Sequence, residues 1–361
     1  MIDIFKKEKT VNLVKILFYI FPLTFILGNA ILSLNLLLFL IISLFLIIKN
    51  KLPFRFKKIY WLLIIFFTYI FLITAIQFQD VLISFNTSLE GYGHNKNLYI
   101  IEFKNHPIFK TFLLFRFLLL IIVLDVLFFN KILSLKKFFL TSLICTTFVS
   151  VDVLIQYIFG FDLFGYAATK GKNSGPFGDE LIAGGYLQRF SFLSIFFISE
   201  FYKKNNFKKI YPILIIIIHT VAIGLAGNRM PFILFIFGGF LIFLFIKNYR
   251  IVISVGLIVG LSIFSFLIIR DESIQNQYTR LFQELNSLKE NKFFKLEKNE
   301  ITADVVKRNN ISIFEKAIKK SGGNLSSGYS KIWLSSYEVW KEQPFFGYGV
   351  KSFRYKCREL S

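Results

Sequence analysis

"IYPILIIIIHTVAIGLAGNRMPFILFIFGGFLIFLFI", residues 210–246, decides the fold. Two almost wholly apolar runs are joined by a short polar turn, "GLAGNRMP". Taken with the turn residues that extend it, each run is expected to cross a bilayer as a helix. Gly224, Gly227 and Asn228 allow the chain to reverse sharply, and Pro231 suits the first turn of the second helix.

The pattern recurs along the chain. Spans are expected at 11–29, 30–48, 60–77, 111–129, 138–159, 182–199, 210–227, 231–246 and 251–269. Hydrophobic residues make up 55% of the sequence and the mean hydropathy is +0.60, beyond the range of a soluble globular protein. The fold class is therefore all-α: a polytopic helical membrane protein with about nine transmembrane helices. Only Gly28 and Asn29 separate the first two spans. No A-x-A-like cleavage site follows the first apolar run, so that span is expected to be a retained helix.

The net charge of +21 invites a nucleic-acid reading, but the placement of the cations argues for topology instead. With the N-terminus in the cytoplasm, the inner connections hold Lys6, Lys7, Lys9, Lys49, Lys51, Arg55, Lys57, Lys58, Lys131, Lys136, Lys137, Lys203, Lys204, Lys208, Lys209, Lys247 and Arg250. The outer connections, though longer, hold only Lys96, Lys104, Lys110, Lys170, Lys172 and Arg229. This is the positive-inside bias. No basic patch coincides with a nucleic-acid-binding module, and no nucleic-acid partner is expected.

Cys145 and Cys357 offer no disulfide framework, and His94, His106 and His219 are too scattered to suggest a metal site. Neither metal nor cofactor is expected. The topology divides the chain into a membrane body, 1–269, and an external segment, 270–361. After Arg270 the spacing of Leu281, Phe282, Leu285 and Leu288 predicts an amphipathic helix. "KKSGGNLSSGYS" (319–330) reads as a loop. A helix carrying Ile332, Trp333, Tyr337 and Trp340 follows, ended by Pro344.

Ionisable groups at membrane depth are costly and often face a cavity. Arg116, Asp125, Asp152 and Arg189 qualify. An interhelical ion pair or snorkelling would equally account for Arg116 and Asp125. Arg229 stands where the topology rule disfavours a cation, next to a helix N-terminus, and both features suit an anion such as phosphate. Arg270 joins it if the last two helices are neighbours. Lipid headgroups are the alternative ligand for both.

Three segments together resemble the O-antigen ligase and O-antigen polymerase superfamily of bacterial inner-membrane glycan transferases. They are "QYIFGFDLFG…GKNSGPFGDELIAGGYLQRF" (Gln156 to Phe190), "GLAGNRMPFILFIFGGF" (Gly224 to Phe240) and "YSKIWLSSYEVWKEQPFFGYGVKSFRYKC" (Tyr329 to Cys357). The resemblance implies a GT-C-like body with a large external helical loop. It implies a multi-pass enzyme of the inner (cytoplasmic) membrane, acting without metal in lipopolysaccharide biosynthesis. The donor would be a glycan on undecaprenyl diphosphate. The acceptor would be a lipid A–core glycan for a ligase, or another lipid-linked chain for a polymerase. A non-enzymatic lipid-linked glycan flippase or transporter is a further alternative, and membrane lipid is a partner in every case.

By the same resemblance Arg229 and Arg270, with Arg189 as a third, would bind the diphosphate. Trp333, Trp340, Pro344, Gly347, Gly349 and Phe353 form the structural motif. The implied base is a histidine in a following external segment. No histidine follows His219 here, so the catalytic base is unassigned and the chain is expected to be C-terminally incomplete. Tyr329 departs from the family pattern, which often has Arg ahead of the Trp-bearing helix.

Overall fold

The computed structural model describes residues 2–77, 107–169, 171–201, 210–279, 328–350 and 352–353. Helices α1 (Ile2–Tyr19), α2 (Phe21–Ile26), α3 (Asn29–Lys49), α4 (Lys58–Ile76) and α5 (Pro107–Phe129) open the chain. They are followed by α6 (Leu135–Phe159), α7 (Ala183–Phe201), α8 (Ile210–Leu225), α9 (Arg229–Phe245) and α10 (Arg250–Arg270). A short helix α11 covers 272–279, and α12 spans Gly328–Glu342. Among the described residues there is no strand, only two isolated bridges in the loop after α6. The chain is an all-α polytopic membrane protein, as its hydropathy requires.

Each of the nine expected spans falls on helix. Helices α3, α4, α5, α6 and α10 are long and apolar enough to cross a membrane by length and composition, while α8 and α9 are apolar but shorter. The first expected span is broken. Pro22 stands at the start of α2, and lacking an N–H it cannot continue the ladder of α1. Side chains serve the backbone around the break: Asn35 Nδ2 donates to the Leu17 carbonyl at 3.1 Å, and the Thr141 hydroxyl donates to the Tyr19 carbonyl at 2.7 Å. Such pairing is obligatory where no water can reach. The amphipathic helix expected over 281–288, His94, His106 and Cys357 lie outside the described residues. Gly328–Ser330, expected in a loop, form the first turn of α12, where the free N–H groups make small residues acceptable.

The chain forms two compact units: Met1–Pro53 with Val126–Leu281, and Phe54–Asp125 with Phe282–Ser361. In the first, α8 and α10 run parallel along a seam of glycines. A Cβ at Gly256 would stand 2.8 Å from Ile216 Cβ, and one at Gly260 would stand 2.8 Å from Thr220 Cβ. One turn further the roles exchange, and Gly224 of α8 receives the Phe264 ring. The Gly-x-x-x-Gly spacing thus serves its usual purpose of letting helix backbones approach closely. Helix α9 runs antiparallel to α10, with Gly239 against Leu257 and the Phe232 ring 4.9 Å from that of Phe264. Helices α6 and α7 are tied by a buried 2.8 Å hydrogen bond between Thr146 and Ser194. Val149, Val153, Leu187, Ala222, Ile223 and Leu225 fill the centre.

In the second unit, Phe67 and Phe71 of α4 meet Phe115 of α5. Asp125 accepts from Lys57 and from the Tyr60 hydroxyl, which is the ion-pair reading with Lys57 rather than Arg116 as partner. Arg116 lies over the Phe117 ring instead.

Replacing Gly260 by Leu is expected to force α8 and α10 apart, costing about 1–3 kcal/mol. Thermal unfolding in detergent should show a lowered midpoint. Val259→Leu, on the exposed side of the same helix, should leave it unchanged; equal effects would refute the seam.

Candidate functional site

Four structures meet at the end of the first unit marked by the α8–α9 turn: the loop 160–182, that turn, the C-terminus of α10, and α11. The loop is held from below by polar side chains at the end of α6. Asp152 Oδ1 accepts the Leu163 N–H at 2.8 Å. Gln156 accepts from Gly175 N at 2.8 Å and donates to the Tyr166 carbonyl at 3.1 Å. Asp162 Oδ1 takes the N–H groups of Phe164 and Tyr166. Asp152, expected to face a cavity, is fully buried as an anchor of this loop.

So held, residues 171–173 cross the α8–α9 turn. Asn173 Nδ2 donates to the Leu225 carbonyl at 2.6 Å, recovering an end-of-helix acceptor. Asn228 Nδ2 donates to the Leu181 carbonyl at 2.8 Å, and no side chain caps the N-terminus of α9. The backbones pass too closely for any side chain. A Cβ on Gly227 would lie 2.3 Å from the Gly171 carbonyl oxygen, and one on Gly171 would lie 2.4 Å from that of Ser273. Gly227 also has φ +71, a conformation that disfavours side chains.

Helix α11 closes this end. The Tyr278 hydroxyl donates to the Gly224 carbonyl at 2.8 Å, and its ring packs against Phe232 and Phe264. Burial pushes the Tyr278 phenol above its ordinary value, while nearby Arg229 acts in the opposite sense. The hydroxyl is thereby kept a neutral donor.

The expected diphosphate ligands are distributed unevenly around this frame. Arg229 is the first residue of α9, partly exposed, and within electrostatic reach of Tyr278. Arg270 ends α10, and because α9 and α10 are antiparallel neighbours it stands at the same end. Its guanidinium is exposed and lies 4.3 Å from the centre of the Phe266 ring. Arg189 is exposed on α7, six residues beyond its first residue, roughly 9 Å along the helix axis. Arg189 is thus not gathered at the turn. The structure adds Lys172, whose side-chain stem borders Gly227 beside Arg229. The sequence counts Lys172 among the outer cations but does not place it or Tyr278 at this turn, because each reaches the turn from a distant part of the chain. Among the described residues no group of His, Cys, Asp and Glu could hold a metal ion. What the arrangement can do is attract an anion: an uncapped helix N-terminus with cations beside it.

The Trp, Pro and Gly-x-Gly element lies in the second unit, along the last two turns of α4. Gln77 Nε2 donates to Gln343 Oε1 at 2.9 Å, the Tyr69 hydroxyl to the Phe345 carbonyl at 3.3 Å, and the Val350 N–H to Thr74 Oγ1 at 3.2 Å. Gly349, at φ +83, sits where a Cβ would be 2.8 Å from Thr74 Cα. Its glycine is required by contact and by backbone conformation. Trp340 and Phe353 are exposed.

Fold and site together define a polytopic α-helical membrane protein with an anion-attracting end. The family model described as O-antigen ligase matches residues 213–359, which take in Arg229, Arg270 and the whole Trp, Pro and Gly-x-Gly element. This stretch supports kinship with the O-antigen ligase and polymerase superfamily, whose members are of glycosyltransferase type. The loop from Gln156 to Phe190 lies ahead of the match. No curated protein and no solved structure matches the chain.

Alanine at Gly227 is expected to destabilise the protein by about 1–3 kcal/mol, since the left-handed backbone and the Gly171 carbonyl both oppose a Cβ. At Gly185 in α7, a Cβ would meet nothing within 4 Å. Alanine there should stabilise by up to about 1 kcal/mol. Unfolding midpoints of the two variants moving in the same direction would contradict this account of the turn.

Proposed function

We propose that the chain is an O-antigen ligase-like glycosyltransferase that moves a glycan from undecaprenyl diphosphate to a lipid A–core acceptor. The observation that carries the proposal is the family match over 213–359, which includes the turn where Arg229 and Lys172 border an uncapped helix N-terminus. In this reading residues 1–269 are the body in the cytoplasmic membrane, with the N-terminus inside. Residues 270–361 belong to a periplasmic segment.

The reaction breaks the bond between the sugar's anomeric carbon and the diphosphate oxygen. It forms one from the acceptor hydroxyl oxygen to the same carbon. The acceptor's proton passes to a base that no residue of this chain is assigned to be. Undecaprenyl diphosphate leaves with increased negative charge. Arg229 and Arg270 hold that group; Arg189, set back along α7, is not needed for it. Fixed cations aimed at charge that develops in the transition state lower the barrier without reorganisation, and no metal is needed for this. Joining lipid-linked repeats, the polymerase reaction, uses the same donor chemistry and differs only in the acceptor.

Arg229→Ala is expected to reduce glycan transfer by about a hundredfold or more while leaving membrane insertion unchanged. Arg229→Lys should retain part of the activity, keeping charge but losing the bidentate fork. Gel analysis of surface polysaccharide reads the outcome, and a normal pattern in the alanine variant would remove the diphosphate role. Lipid A–core bearing intact chains that lose attachment in the variant marks a ligase; loss of chain length alone marks a polymerase.

A further inference from the structure

The element after α12 carries an exposed cluster of rings that its role as a structural motif does not explain. Phe345 is 87% exposed and Phe346 is 68% exposed. They occupy the tip of the turn between Pro344 and Gly347 and have no polar handle. Trp340 is exposed on the preceding helix and stacks on Tyr337, with ring centres 5.7 Å apart. The Lys341 ammonium lies 4.5 Å from the centre of the Tyr337 ring. A pair of adjacent phenylalanines facing water would be costly.

The contacts of this turn place it against a spanning helix. Its backbone is fastened to Tyr69 and Thr74, with Gln343 held by Gln77, all along the last two turns of α4. Helix α4 has 19 residues and is apolar enough to cross a membrane. At 1.5 Å per residue it is about as long as the hydrocarbon core is thick. Residues 69–76 therefore occupy about two fifths of the hydrocarbon, on the side of the Ile76 end. The same stretch of α4 presents Tyr69, Leu72 and Ile76 outward. Phe345, bonded through its carbonyl to Tyr69, extends that lipid-facing surface.

We infer that the turn 344–347 is an interfacial membrane anchor: Phe345 and Phe346 insert into the lipid leaflet at the Ile76 end of α4, with Trp340 and Tyr337 at headgroup level. Adjacent aromatic residues and a lysine are the residue types that settle at that boundary. Lipid is favoured over a sugar as occupant because the two most exposed rings carry no hydrogen-bonding group and continue an apolar helix face. The inference rests on α4 crossing the membrane and is independent of the transferase reading. Its consequence is that the Trp-bearing helix is held at the membrane surface by its own C-terminal turn.

The test is site-directed spin labelling of the full chain in lipid nanodiscs, with Cys145 and Cys357 replaced by Ser. A nitroxide at Phe345→Cys should collide with oxygen several-fold more effectively than with a nickel chelate. It should match a label at Leu72→Cys, exposed on the same stretch of α4, and differ from one at Asp179→Cys in an exposed loop. Strong nickel collision at 345 would show water there and overturn the anchor. Weak collision with both probes would show a protein cover and overturn it equally. As a second reading that needs no label, Trp340 emission in the Trp61→Phe, Trp333→Phe background should be quenched by lipids brominated near the headgroup. Emission unaffected by those lipids would count against the inference.

Discussion

Backbone polar groups at membrane depth have no water to turn to, and three breaks among the described helices show how this chain meets that constraint. Where α1 breaks before Pro22, Asn35 and Thr141 supply donors to the carbonyls. Where α8 ends, Asn173 and Tyr278 do the same for Leu225 and Gly224. Where α6 ends, Gln156 and Asp152 take the loop's N–H groups. Asn35, Thr141, Asp152, Gln156 and Asn173 spend their side chains on backbone at helix ends and in the loop, and the loop that crosses the α8–α9 turn is held by the last three.

The spans were legible because hydropathy over a membrane-length window is set by composition, and composition is local. The turn at Gly224–Pro231 was legible for the same reason: small residues, Asn and Pro act on their own backbone. Pro22 escaped notice inside an apolar run, although its missing N–H decides where α1 stops. Lys172 and Tyr278 were invisible as site residues. Their neighbours are Gly227 and Gly224, far along the chain, and only the register between helices brings them together. The spacing of Gly256 and Gly260 shows that a close partner exists without saying which helix it is.

Electrostatic placement follows from the same geometry. Arg229 is presented by the helix that begins at a tight turn, and Arg270 by the helix that returns beside it. Two cations at one end require only an antiparallel pair of helices and a short inner connection. Arg270 rests over the Phe266 ring, a contact that lets a guanidinium settle at an apolar boundary. The O-antigen ligase match covers this pair of helices, so the family's defining stretch and the unit's cationic end coincide.

The glycine seam has a consequence for α9. Because α8 and α10 touch directly, the helix between them in sequence is pushed outward, and it exposes Met230, Ile233, Leu234, Phe237, Phe240 and Phe245 along its length. Its first residue is Arg229, so that cation heads a helix whose apolar side chains face outward from the first unit. On the function proposed above, a ligand with a charged head and a long hydrocarbon tail would lie along that apolar face with its head at Arg229.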